Sequence, residues 1–97
     1  MTSFVVETYV PDGDSDRFAA DVQGIRKAVE RGSPLAGLVH HVRSYLVPSD
    51  QMGFHVVRAR TAADIERVTT LATIQVERIV EAIATDDPAD VTAGGNP

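Results

Sequence analysis

The sequence contains no cysteine and no tryptophan, and its single lysine is Lys27. Without cysteine, the chain forms no disulfide, no thiolate metal site and no cysteine nucleophile. Its N-terminal stretch lacks the basic segment and apolar run of a secretion signal, and no apolar run approaches the roughly 18 residues of a membrane span. We therefore expect a cytoplasmic protein with no membrane partner.

Acidic residues outnumber basic residues by 14 to 9, which gives a formal net charge of −5 at pH 7. A nucleic-acid-binding protein would need a basic stripe, so we expect no nucleic-acid partner. The 97 residues suffice for one domain with a modest core. Self-association, as a homodimer or a larger assembly, would be a natural way to bury more surface.

Hydrophobic periodicity predicts most of the secondary structure. The predicted elements, in chain order, are a strand over 3–10, a helix from Ser15 or Asp16 to about Arg31, strands over 36–47 and 54–60, and a helix that Thr61 caps. The two central strands are joined by residues 48–53, a connection of hairpin length.

Residues 62–84 allow two interpretations. Their apolar positions fit one long helix, but they also fit a helix that ends near Thr73 and a strand over 76–83. The second interpretation gives the order β-α-β-β-α-β, which is the ferredoxin-like arrangement of a four-stranded antiparallel sheet with two helices on one face. Either interpretation is α+β with one face of the sheet uncovered. We expect one domain over 1–84 and a disordered acidic tail over 85–97.

The stretch LVHHVRSYLV, residues 38–47, places polar side chains in an apolar strand. Because side chains alternate along a strand, His40 and His41 leave it on opposite sides and do not form a double-histidine metal motif. On the same alternation, His41, Arg43 and Tyr45 share one face, which we expect to be the uncovered one.

Neighbouring strands extend this predicted open face. A hairpin symmetric about Asp50 would put Tyr45 opposite or diagonal to His55, whereas a shift of one residue would reverse the faces of the third strand. On the symmetric register, Phe54 and Val56 face the helices. The predicted open face carries Glu7, Tyr9, His41, Arg43, Tyr45 and His55, and it is rimmed by Val5, Val39, Val47 and Val57. Two copies stacked through this face would close a barrel around a shared cavity.

Three segments carry a family resemblance: FVVETYVP (4–11), VRSYLVPSDQMGFHVVRA (42–59) and RIVEAI (78–83). They resemble a family of small ferredoxin-like proteins of unknown function that includes bacterial nickel-binding proteins. The resemblance spans most of residues 4–83 and favours a final strand, so we adopt the β-α-β-β-α-β order.

The resemblance implies a site with a mixed ligand set. The matching residues are Glu7 in the first strand and the Ser44-Tyr45 pair, whereas Arg43 stands where the family usually has histidine, His55 where it often has cysteine, and His41 at an aromatic position. Arginine is a permanent cation and not a metal ligand. Either His41, His55 and Glu7 bind nickel or another divalent metal, or Arg43 binds a carboxylate or phosphate.

The sequence therefore predicts a dimeric α/β-barrel that binds a small ligand or a transition metal, nickel by resemblance. The expected ligand-binding residues are Glu7, Tyr9, Arg43 and Tyr45, and the expected metal ligands are His41 and His55. One alternative is a cofactor-independent oxygenase- or isomerase-like enzyme, in which either histidine is the general base and Arg43 stabilises an oxyanion. Another is a structural assembly module.

Overall fold

The computed structural model describes residues 1–83 and has the predicted β-α-β-β-α-β order. The elements are β1 (Thr2–Tyr9), α1 (Ser15–Ala28), β2 (Val39–Val47), β3 (Met52–Ala59), α2 (Ala62–Leu71) and β4 (Val76–Ala82). The strands form a four-stranded antiparallel sheet in the order β2-β3-β1-β4. The ferredoxin-like α+β fold and its final strand are thereby confirmed. The predicted tail over 85–97 lies outside the described residues.

Both helices begin at a side chain that caps them. Asp14, rather than the predicted Ser15 or Asp16, caps α1, because its Oδ1 accepts a hydrogen bond from the N–H of Asp16 at 2.9 Å. Thr61 caps α2 as predicted and accepts from the N–H of Asp64 at 3.3 Å. Within residues 1–83, no helix is both long and apolar enough to cross a bilayer.

The hydrophobic core lies between the two helices and one face of the sheet. Its members are the apolar stripes of the helices and alternate residues of three strands, namely Phe4, Val6, Ile25, Ala28, Val39, Val57, Ala59, Ile65 and Val68, with Leu35 from the loop before β2. Burying one such valine or isoleucine contributes about 1.5–3 kcal/mol. Val39 and Val57, predicted to rim the open face, are therefore core residues.

Two short connections are tied together at one end of the sheet. Gln51, which precedes β3, has a left-handed backbone with φ 54°. Its carbonyl accepts a hydrogen bond from the N–H of Val10 at 2.7 Å. Its Oε1 accepts from the N–H of Asp12 at 2.8 Å and from the hydroxyl of Tyr9 at 3.2 Å. One residue thus links the β1–α1 and β2–β3 connections.

We expect alanine to have opposite effects at two glycines. In β3, a Cβ at Gly53 would lie 2.7 Å from Thr8 Oγ1 and 3.0 Å from the Phe18 ring, so Gly53→Ala should lower the free energy of unfolding by about 1–3 kcal/mol. In α1, a Cβ at Gly24 would meet Ala72 Cβ at an ordinary 3.4 Å, so Gly24→Ala should raise it by up to about 1 kcal/mol. Urea denaturation measures both free energies of unfolding. A stabilised Gly53→Ala variant or a destabilised Gly24→Ala variant would contradict the packing described for these two positions.

Candidate functional site

The β2–β3 hairpin differs by one residue from the predicted register. The connection over 48–51 has an even number of residues, so the pairing is centred between two residues rather than on Asp50. Tyr45 therefore lies opposite Phe54, not His55. A shift of one residue exchanges the two faces of a strand. The prediction that His55 lies on the open face is consequently wrong.

A β-bulge in β2 separates two residues that the sequence predicted to be neighbours. His41 pairs with Val57, and Arg43 pairs with Val56, so Val42 is an extra residue without a partner opposite it. Because a bulge reverses the alternation of side chains beyond it, Arg43 faces the uncovered side while His41 lies beneath the helices. The prediction that His41 and Arg43 share one face is wrong for this reason.

The uncovered side of the sheet, here called the open face, consists of rows of side chains that run across the strands. From one end to the other, the rows are His40–Arg58–Ser3–Ala82, Arg43–Val56–Val5–Val80, Tyr45–Phe54–Glu7–Arg78 and Val47–Met52–Tyr9. All four predicted ligand-binding residues, Glu7, Tyr9, Arg43 and Tyr45, lie on this face. So do Phe54 and Val56, which were predicted to face the helices.

Arginine contacts organise the polar groups of the open face. Arg78 Nη2 and Nε donate to the Glu7 carboxylate at 2.9 and 3.3 Å. Arg43 Nη1 donates to the Tyr45 hydroxyl at 3.4 Å. With Arg58, the part of this face formed by residues 1–83 carries three arginines and one glutamate, so it is basic although the whole chain is acidic.

Beneath the helices, four side chains form what we call the histidine–serine chain: Arg26, His41, Ser44 and His55. Arg26 Nε donates to His41 Nδ1 at 3.4 Å. Ser44 Oγ lies 2.8 Å from His41 Nε2 and 2.7 Å from His55 Nδ1. A guanidinium only donates, so His41 Nε2 carries a hydrogen and donates it to the serine, whose hydroxyl then donates to His55. The hydrogen of His55 is left on Nε2, which is buried without a partner among the described residues.

Burial keeps both histidines of this chain neutral. His55 is 0% exposed, and the Phe18 ring stacks on it with centroids 5.3 Å apart. Burial, together with the charge of His41, lowers the pKa of His55 to about 4. Burial also lowers the pKa of His41, and the nearby charges of Arg26 and His40 lower it further. An imidazole with a pKa of about 4, as in His55, is a weak general base at neutral pH.

The ligand set predicted for a metal does not assemble. His41 and His55 both approach Ser44, but Glu7 lies on the opposite face and is engaged by Arg78. Within residues 1–83, no group of three or more histidine, cysteine or acidic side chains is arranged to hold a metal ion. The described residues therefore do not fit a nickel site of the predicted composition.

The sequence did not predict three residues that contact His41 or His55. These are Phe18, Arg26 and Ser44, which links the two histidines. The position of Ser44 opposite His55 depends on the hairpin register, which the strand pattern alone does not determine. Phe18 and Arg26 belong to α1, and their approach to the sheet depends on how the helix docks. The Ser44-Tyr45 match to the family was the only signal that pointed to this serine.

We expect the protein to lose stability in mild acid. The folded pKa values of His41 and His55 lie below the ordinary 6.5, so between the two values the unfolded chain binds protons that the folded chain does not. The free energy of unfolding should be fully retained above about pH 6.5 and should fall as the pH approaches 4, by on the order of 3 kcal/mol for His55 alone. Urea denaturation across this range measures the loss.

Two variants separate the contribution of His55 from other titrations. His55→Leu should remove most of the pH dependence, because the desolvated imidazole is gone. His40→Leu, which removes an exposed histidine on the open face, should keep most of it and alter only the part that the His40 charge contributes through His41. The same pH dependence in both variants would show that His55 is not its source.

Comparison with known proteins identifies the fold. No family model and no curated protein matches the sequence. The crystal structure of SCO4226 from Streptomyces coelicolor A3(2) is similar, with a TM-score of 0.71 and 16% sequence identity over 87% of this chain and 99% of that chain. At this identity the similarity supports the ferredoxin-like fold and carries no conclusion about function.

Proposed function

We propose that this protein is a homodimeric α/β-barrel that binds a small anionic ligand between two open faces. The observation that carries the proposal is the composition of the open face. Val5, Phe54, Val56 and Val80 occupy its two central rows, and no helix of residues 1–83 covers them. Half-exposed apolar side chains in contiguous rows are typical of a surface that packs against a partner. Stacking two sheets face to face would bury these rows.

The size of the open face can be compared with that of a stable interface. Strands lie about 4.8 Å apart and rise about 3.3 Å per residue, so a four-stranded sheet of this length presents about 500 Å² in projection. Protruding side chains make the accessible surface larger than this projection. Specific protein–protein interfaces bury about 800 Å² per partner. An interface with a second copy would therefore use most of the open face.

The charges of the open face favour an anionic ligand between the two copies. Each copy would contribute Arg43, Arg58 and Arg78 to the space between the faces, and Arg78 forms an ion pair with Glu7. Stacking two basic faces brings like charges together, which is unfavourable in a partly desolvated space. An anion held between the faces would offset this repulsion.

Arg43 is the residue best placed to bind the anionic group. It lies in the same row as Val56 and Val5, so a ligand that contacts its guanidinium also meets apolar side chains. The planar guanidinium fork matches a carboxylate or a phosphate. The neighbouring Tyr45, which accepts a hydrogen bond from Arg43, adds an aromatic surface. Such a site suits a small molecule with an apolar body and one anionic group.

The geometry gives less support to the other functions expected from the sequence. An enzyme using His41 or His55 with Arg43 would need groups on opposite faces of the sheet to reach one substrate. Nickel binding stays a prediction, which metal analysis of protein purified without a histidine tag tests directly. Cytoplasmic localisation likewise stays a prediction from the sequence.

We expect the protein to be a dimer in solution and Val56→Asp to make it monomeric. Val56 lies in a central row of the open face, so a carboxylate there would be buried without a partner in the dimer. Leu71→Asp is the matched control, because Leu71 is an exposed apolar residue of α2, away from this face. Sedimentation velocity measures the mass of each protein. A monomeric wild type, or a Val56→Asp variant that remains dimeric, would contradict the proposal.

We expect 2-naphthoate to bind more tightly than 2-naphthol, which has the same aromatic body without the carboxylate. Arg43→Gln should weaken naphthoate binding by about tenfold, since it removes a charge-assisted hydrogen bond. Arg31→Gln removes an arginine outside the open face and should have no effect. Isothermal titration calorimetry measures the binding of both compounds to the wild type and to each of the two variants. Equal affinities for the two compounds would exclude an anion-selective site.

A further inference from the structure

A polar cleft of about 470 Å³ lies where α1, the end of β1 and the turn after α2 meet. Its walls carry the side chains of Tyr9, Arg17, Asp21, Thr70, Thr73 and Gln75. Apart from Tyr9, none of these residues belongs to the open face. The volume falls in the range of about 300–1,000 Å³ that is typical of small-molecule sites.

One wall of this cleft contains a residue in an unfavourable backbone conformation. At the end of α2, the N–H of Ile74 donates to the Thr69 carbonyl at 2.9 Å, and the N–H of Thr73 donates to the Thr70 carbonyl at 3.1 Å. This pattern is a Schellman motif, in which the residue at the position of Thr73 is usually glycine because its backbone is left-handed. Thr73 has a φ of 60°, which is rare for a β-branched residue. Its side chain lines the cleft at a cost in stability.

The opposite wall contains a partly buried carboxyl group. Asp21, on α1, is partly buried, and no hydrogen bond to its carboxyl is found within residues 1–83. Its charged neighbour is Arg17, one helical turn away. Burial raises the pKa of Asp21, and the positive charge of Arg17 opposes this rise only in part. A hydrogen-bond donor on a ligand in the cleft would offset this partial desolvation.

We propose that this cleft is a second binding site, which takes a small neutral polyhydroxylated molecule. Groups that strain or destabilise the unliganded fold and converge on one cavity mark a binding site rather than a structural element. The Arg17 and Asp21 charges balance, so the cleft favours a neutral ligand.

The lining matches the chemistry of a polyol. The Thr70 and Thr73 hydroxyls and the Gln75 amide offer both donors and acceptors, which vicinal hydroxyls require. At the end of β1, the Tyr9 ring is held by its hydrogen bond to Gln51 at 3.2 Å and provides an apolar wall for C–H groups. The proposal does not depend on the function assigned to the open face.

The test is a titration of ¹⁵N-labelled protein with D-glucose, D-ribose and myo-inositol in the millimolar range, followed by amide chemical shifts. We expect at least one of these compounds to shift the amides around Asp21 and over residues 70–75, with a common saturation curve. The absence of any shift with all three compounds, or shifts confined to other parts of the protein, would overturn the proposal.

Two variants distinguish a binding site from a structural feature. Thr73→Gly relieves the left-handed backbone, and Asp21→Leu removes the desolvated carboxyl, so both should melt at or above the wild-type temperature. Both should nevertheless bind the active compound about tenfold more weakly, because each loses a polar contact. Asp16→Leu, an exposed change on the same helix outside the cleft, is the control and should bind normally.

The combination of higher stability with weaker binding is the decisive result. A structural role for Thr73 or Asp21 would instead give lower melting temperatures, and that outcome would overturn the premise of the proposal. Unchanged affinity in both variants would place the binding compound elsewhere.

Discussion

A single extra residue in β2, Val42, controls the chemistry of both faces of the sheet. The backbone before it directs His41 beneath the helices, and the backbone after it directs Arg43 to the opposite side. Without the bulge, regular alternation would put both residues on the same face. The acidic chain thus presents arginines on its open face while its buried histidines remain together under α1.

The separation of these groups allows each to keep the charge state that its surroundings favour. The arginines stay charged at the protein surface, where water solvates their guanidinium groups. His55 stays neutral in the interior, burial favours the neutral form of the partly buried His41, and Ser44 satisfies one nitrogen of each ring. A buried polar row of this kind costs desolvation, which its hydrogen bonds offset. If His41 or His55 took a proton, the row would contain an unpaired buried charge.

The sequence was sufficient for the parts of the fold that depend on local patterns. Glu7 and Tyr9 were assigned to the correct face because β1 alternates without interruption. The final strand was harder to predict from local patterns, because residues 62–84 fit a helix as well. The family resemblance decided between the helix and the strand.

The faces of the hairpin could not be derived in the same way. Adding one residue to a connection, or one bulged residue to a strand, changes the free energy of folding little. Either change exchanges the two faces of the strand. His55 was misplaced by the register and His41 by the bulge at Val42. Arg43 and Tyr45, which lie between the bulge and the turn, were placed correctly. The contacts of Phe18 and Arg26 could not be predicted from the sequence, because they depend on how α1 docks on the sheet.

The link made by Gln51 has a consequence for access to the open face. Backbone and side-chain hydrogen bonds of Gln51 fasten the two connections together at the Val47–Met52–Tyr9 end of the sheet. The row His40–Arg58–Ser3–Ala82, at the other end, has no comparable link among the described residues. In a barrel made from two copies, the entrance for a ligand would lie at this second end. An incoming anion would therefore meet Arg58 before it reached Arg43.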